Sequence, residues 1–158
     1  MKHWLGLGSG AWSILKEAAR HVLRHPVVGV AVVGQTDTGR WLLIRRRDTG
    51  DWALPGGTLE WGETLLQATH RELMEEAGVT VEGPLELSGV YSRPERDYRF
   101  HGVTVLVKAR VSEPRQAPKN PLEIAEVRLF DSGELPTSLS LSMTDLLADA
   151  RAGRHVVE

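Results

Sequence analysis

Hydrophobic positions fall into two rhythms along the chain. Between residues 11 and 24 they recur every three or four places, at Ala11, Trp12, Ile14, Leu15, Ala18, Ala19, Val22 and Leu23. Lys16, Glu17, Arg20 and Arg24 take the other side. That spacing predicts an amphipathic helix. Pro26 ends it, because proline disfavours helical backbone in the residue before it. From Val27 the rhythm changes. Val27 to Val33 is a continuous run rich in β-branched residues and predicts a buried strand. Turn residues Gln35 to Gly39 follow, then a second strand, Arg40 to Arg45, so the pair reads as a hairpin. The expected organisation is an N-terminal helical extension, residues 1–26, ahead of one domain, residues 27–158.

Downstream, Asp48 to Glu63 reads as a Gly-rich loop. A helix should begin at Thr64, where Gln67 three places on completes a capping box. It should run to Ala77 and stop at Gly78, placed where a left-handed residue is wanted. Further strands are expected at 79–81, 85–92 and 103–111. A loop from Pro114 to Pro121 separates them from a last strand at Glu126–Phe130. A final helix, Ser142 to Ala152, should end at Gly153. Interleaved strands and helices of mixed length argue for the α/β class.

Composition narrows the chemistry. A chain of 158 residues suits one domain. Its net charge of −2 lacks the basic excess of a nucleic-acid binder, so no nucleic-acid polymer is expected as partner. No cysteine is present, which excludes thiolate metal sites and cysteine nucleophiles. No apolar run reaches the roughly 18 residues of a membrane span, and the Trp4–Gly8 stretch is too short for a signal peptide. The expectation is a cytoplasmic protein without a membrane partner. His70 and His101 stand alone, with no HExxH pattern.

The helix from Thr64 carries the informative chemistry. Glu72, Glu75 and Glu76 stand at i, i+3 and i+4, which places their carboxylates on one face. Leu66, Thr69, Leu73 and Ala77 fall on another face and should enter the core. Like charges at that spacing repel by a few tenths of a kcal/mol per exposed pair. Such a face is ordinarily just solvated. A divalent cation that prefers hard oxygen ligands, Mg²⁺, Mn²⁺ or Ca²⁺, would relieve the repulsion.

The surrounding residues form a pattern: Gly57, five residues, Glu63, seven residues, Arg71-Glu72-Leu73, Met74, Glu75-Glu76, Ala77, Gly78-Val79. This resembles the Nudix box, G-x5-E-x7-R-E-U-x-E-E-x-G-U with U a bulky aliphatic, and matches at every defined position. Chance agreement at all of them is on the order of 10⁻⁷. The approach Trp52-Ala53-Leu54-Pro55-Gly56-Gly57 is similar to that of the family, as is Glu126–Phe130 followed by Glu134-Leu135-Pro136. The likeness runs roughly from Val27 to Pro136.

The resemblance implies an α/β/α sandwich with a mixed sheet and a loop–helix–loop box. It implies Mg²⁺, with Mn²⁺ as substitute, held by Glu72, Glu75, Glu76 and the Gly56 carbonyl. It implies that Arg71 orients Glu63, and that a glutamate serves as base: Glu72 within the box, or Glu123 on a later loop, with Glu95 behind it. The reaction implied is hydrolysis of a nucleoside diphosphate linked to another group. ADP-ribose or a sugar nucleotide is the first expectation, because the Arg-rich stretch Ser92–His101 is similar to one in ADP-ribose pyrophosphatases of the family. Arg93, Arg96 and Arg99 there, and the strand-end run Arg45-Arg46-Arg47 with Arg45 foremost, are candidates to hold phosphates. Trp52 is the candidate to stack on a base, with Trp61, Tyr91, Tyr98 and Phe100 as others. Two alternatives stand: a house-cleaning NTP pyrophosphohydrolase, and a silent nucleotide-sensing or protein-binding module. The latter commonly loses box glutamates, and this chain keeps them. Homodimers are usual in the family, and the N-terminal helix is a candidate contact.

Overall fold

The computed structural model describes Ile14, Lys16, Glu17 and residues 25–97, 99–140 and 142–158. The expected N-terminal helix otherwise lies outside the described residues, as does Tyr98. Strands β1 (Val27–Gln35) and β2 (Trp41–Arg46) form the expected hairpin. Two short strands follow, β3 (Trp52–Ala53) and β4 (Gly56–Thr58). Helix α1 (Leu65–Glu72) runs directly into one π-helical turn, Leu73–Ala77. Then come β5 (Glu86–Tyr91), a 3-10 turn (Pro94–Arg96), β6 (Gly102–Arg110), β7 (Ile124–Phe130), α2 (Met143–Arg151) and β8 (Val156–Val157).

All the described strands join one mixed sheet, ordered β3-β2-β1-β6-β5-β8, with β4 on β1 and β7 on β2. The long parallel pair β1–β6 is its spine, in register from Val27 opposite Gly102 to Gln35 opposite Arg110. Strand alternation divides the core between the two faces. Val30, Val32, Leu42 and Ile44 pack with Ala68, Leu73 and Ala77 of the first helix. Ala31, Val33, Trp41 and Leu43 pack with Leu146, Leu147 and Ala150 of α2. The result is the expected α/β/α sandwich. No helix among the described residues is long and apolar enough to cross a membrane.

Three expectations need correction. The stretch Asp48–Glu63 is not all loop. β1 and β2 stay paired only at Gly34–Leu42 and Gln35–Trp41, and β4 takes the edge of β1 that this leaves open, Gly57 opposite Val30. Residues 79–81 form only a bridge, Val81 to Val111. β7 is not the last strand: Val156–Val157 adds to β5 in parallel, opposite Gly89 and Val90. Two residues are too few to show a rhythm.

The first helix begins as its sequence requires. Thr64 Oγ1 accepts from the Gln67 N–H, and Gln67 Oε1 accepts from the Thr64 N–H. It ends at Gly78, whose φ of 64° puts it in the left-handed region. The Gly78 N–H reaches back to the Leu73 carbonyl, five residues away. That widened turn rotates the end of the helix. Leu66, in the first turn of the helix, stays exposed, contrary to expectation, while Glu72 and Glu76 lie on the buried side with Ala68. π-turns of this kind recur where a helix carries functional side chains.

Candidate active site

Glu72, Glu75, Glu76, Arg71 and Gly56 line one cavity of about 590 Å³, and Glu123 lines it from across the gap. Its position follows from the splaying of β1 and β2. β4 fills the gap between them and lies directly under the acidic face of the helix. A Cβ on Gly57 would fall 2.2 Å from Glu72 Oε1, so the glycine leaves the space in which that carboxylate sits.

Arg71 ties the box together. Its Nε and Nη2 donate to the two Glu63 oxygens at 2.8 and 2.9 Å, a two-point fork. Nη1 donates to Glu72 Oε1 at 2.8 Å, and Nη2 also reaches the Thr58 carbonyl at 3.1 Å. The fork, helped by the Glu60 N–H, holds the Glu63 carboxyl down at about 2. Glu63 itself stays behind Arg71, outside the cavity lining. The expected orienting pair is thus present as a contact.

Burial acts the other way on the inner glutamates. It pushes Glu76 up to about 8, against the pull of the Gly56 N–H, which donates to Oε2 at 2.8 Å. Repulsion from Glu72 and Glu123 adds to the rise. Glu72 is raised for the same first cause, opposed by its bond from Arg71. Glu75 faces Lys119, whose Nζ is 3.2 Å from Oε1, with Arg71 Nη1 3.7 Å from Oε2.

As placed, no three acidic or histidine side chains among the described residues are drawn together tightly enough to hold an ion. The carboxylates turn instead to Arg71, Lys119 and the Gly56 N–H. The donor set still fits a hard divalent cation in kind. It is oxygen only, it is partly buried, and its members repel one another across a shared cavity. Ammonium and guanidinium groups already answer part of that negative charge.

The proposed substrate contacts divide. Arg96 and Arg99 line the far end of the cavity, but carboxylates engage both. Arg96 pairs with Glu158 and with Asp145 at 2.8 Å, and Arg99 pairs with Asp97 at 2.6 Å. Arg93 lies outside the lining, paired with Glu158. Glu95 is exposed on the 3-10 turn and also outside the lining. Arg45 and Trp52 are corrections of a different kind. Arg45 shares its face with Trp41 and Leu43, away from α1, where it bonds Glu126 at 2.8 Å and covers the Trp52 ring. Trp52 meets Phe130 edge to face at 4.8 Å in the opposite core layer.

Lys119 and Asn120, both in the cavity wall, carried no expectation from the sequence, and Arg46 beside them was passed over in favour of Arg45. For Arg46 the signal was present: Leu42, Ile44 and Arg46 alternate onto the box side. For Lys119 there was none, because only the return of a distant loop brings it to Glu75.

A mixed sheet between helix layers, with an acidic helix over a glycine-built cavity, defines a Nudix-type domain. The NUDIX domain family model matches residues 23–150, and the chain belongs to the Nudix family. A MutT-like protein of Streptomyces ambofaciens is 46% identical over 80 residues, 51% of this chain and 48% of that protein. An ADP-ribose pyrophosphatase of Methanocaldococcus jannaschii is 41% identical over 85 residues, 52% of this chain and 49% of that protein. The chain thus spans about half the length of these curated relatives. The crystal structure of a MutT NUDIX hydrolase from Burkholderia pseudomallei superposes with a TM-score of 0.68 at 30% identity. That match covers 80% of this chain and 98% of the other.

Proposed function

We propose that this chain hydrolyses the diphosphate linkage of a nucleoside diphosphate joined to a second group, ADP-ribose or a sugar nucleotide first. The products are a nucleoside monophosphate and the phosphorylated second group. The observation that carries this reading is the burial of Glu72 and Glu76 beside Glu75 and Glu123 in one cavity large enough for a small nucleotide. The name of the Methanocaldococcus relative supports the substrate expectation.

Glu72, Glu75, Glu76 and the Gly56 carbonyl are the groups to hold Mg²⁺ or Mn²⁺. A bound divalent ion supplies neutralisation of phosphate charge and acidification of water. The chain's own residues account for the remaining tasks. Arg71 keeps Glu72 in place and ties it to Glu63. Glu123 serves as base better than Glu72 does. Glu72 Oε1 is committed to Arg71 in a buried site, whereas the Glu123 side chain is half-exposed and, among the described residues, is approached by Asn120 Nδ2 at 3.3 Å and Arg46 Nη1 at 3.8 Å. Glu123 takes a proton from water as the water oxygen bonds to one phosphorus. The bond from that phosphorus to the bridging oxygen then breaks, and the leaving phosphate departs with the electron pair.

The test is incubation with Mg²⁺ and a panel of ADP-ribose, sugar nucleotides, dinucleoside polyphosphates and oxidised nucleoside triphosphates. The reading requires a nucleoside monophosphate and a phosphorylated partner from ADP-ribose or a sugar nucleotide. Pyrophosphate released from a triphosphate, with ADP-ribose untouched, overturns the substrate assignment. No turnover of any substrate on the panel counts against catalysis itself.

A further inference from the structure

The end of β2 carries three consecutive arginines whose side chains go to different places. Arg45 turns outward to Glu126. Arg46 enters the cavity wall with its side chain 14% exposed. The β2–β7 register shifts between them, so that Arg45 lies opposite Glu126 but Arg46 opposite Ile124. Bulges of this kind re-aim side chains beside functional sites.

Asp48 holds one edge of the Arg46 guanidinium. Nε donates to Oδ1 and Nη2 to Oδ2, each at 2.9 Å. Asp48 itself is largely exposed and outside the cavity lining. The fork fixes the plane of the guanidinium and leaves Nη1 directed at Glu123, 3.8 Å from Oε1. The neighbouring residue secures the same loop from behind. The Arg47 N–H donates to the Glu123 carbonyl at 2.8 Å, and Arg47 Nε donates to the Pro121 carbonyl.

We propose that Arg46, braced by Asp48, is the positioning residue that aims the Glu123 carboxylate at the reacting water; this rests on Glu123 being the base. A separation of 3.8 Å is an ion pair rather than a hydrogen bond. It orients the carboxylate while leaving its lone pairs available to a proton. A bound phosphate is the competing partner for Arg46, and kinetics separate the two roles. Aiming a base acts on kcat, whereas holding substrate acts on KM.

Asp48→Asn tests this without touching the cavity. With Mg²⁺ and ADP-ribose, kcat should fall about tenfold, while KM and the melting temperature stay near those of the parent. Glu123→Gln should lower kcat on its own, and adding Asp48→Asn to it should lower kcat no further, because the two act as one unit. A rise in KM with kcat unchanged assigns Arg46 to substrate and overturns the proposal. Multiplying effects overturn it also, while leaving Glu123 as the base. Parent-like kcat in Glu123→Gln removes the base assignment and the positioning role with it. A crystal structure of Asp48→Asn gives a readout that needs no turnover. It should show the Arg46 fork released and the Glu123 carboxylate swung from its present place, and an unmoved carboxylate overturns the proposal.

Discussion

Gly57 and Glu72 meet where β4 passes beneath the acidic helix: a Cβ on the glycine would lie 2.2 Å from Glu72 Oε1 and 2.7 Å from its Cδ. Gly57 is not among the glycines of positive φ, so its backbone suits any residue. The side of the contact that must yield is therefore the carboxylate. Gly57→Ala should leave the sheet formed, at an overpacking cost of about 1–3 kcal/mol. It should also displace Glu72 and lower turnover by about a hundredfold. Thermal melting and steady-state kinetics check both parts. Parent-like activity would show that the place of Glu72 is not needed.

Arg71 reaches Glu63, Glu72 and the Thr58 carbonyl at once. Lysine keeps the charge but cannot make the fork. Arg71→Lys should lower kcat by roughly tenfold to a hundredfold and the melting temperature by a few degrees. Kinetics and calorimetry on the purified variant would check this, and an unchanged kcat would reduce Arg71 to a structural tie.

Acid stability offers a test away from the acidic helix. Arg96 and Arg93 hold the Glu158 carboxyl well below its ordinary value of 4.5. A depressed folded-state value means stabilisation that is complete above about pH 4.5 and is lost as pH falls toward the folded value. Glu158→Gln should therefore be less stable than the parent near neutrality, with the gap closing on acidification. Denaturant midpoints at roughly pH 6 and pH 3 measure it. A gap of the same size at both would mean that the ionised clasp contributes nothing.

Local signals in the sequence carried far. Thr64 with Gln67, and Gly78 after Ala77, mark both ends of the first helix because capping is decided by immediate neighbours. The runs at Val27–Val33 and Val103–Val111 read as strands because both are rich in β-branched residues. What failed depended on distant partners. β4 exists because β1 and β2 part after two residue pairs, which no local pattern announces. Arg45 was preferred to Arg46 although alternation from Leu42 and Ile44 favours the latter. Of the three arginines after Ser92, the proximity to phosphate read from their density did not anticipate Glu158, Asp145 and Asp97, which answer their charge. Leu66 was placed inward with Thr69, Leu73 and Ala77, whereas the buried side of the helix runs through Ala68, Glu72 and Glu76 as well and leaves Leu66, in the first turn, exposed.

On the proposed function, Glu72, Glu75 and Glu76 share one cavity so that a phosphoanhydride can be broken there. Glu76 is the most direct handle, being buried, bonded to the Gly56 N–H and pressed by Glu72 and Glu123. The deciding measurement is the Mg²⁺-dependent turnover of ADP-ribose by Glu76→Gln beside the parent chain, with circular dichroism confirming the fold. A loss of about three orders of magnitude in kcat with the fold retained is expected. Turnover near that of the parent would contradict it.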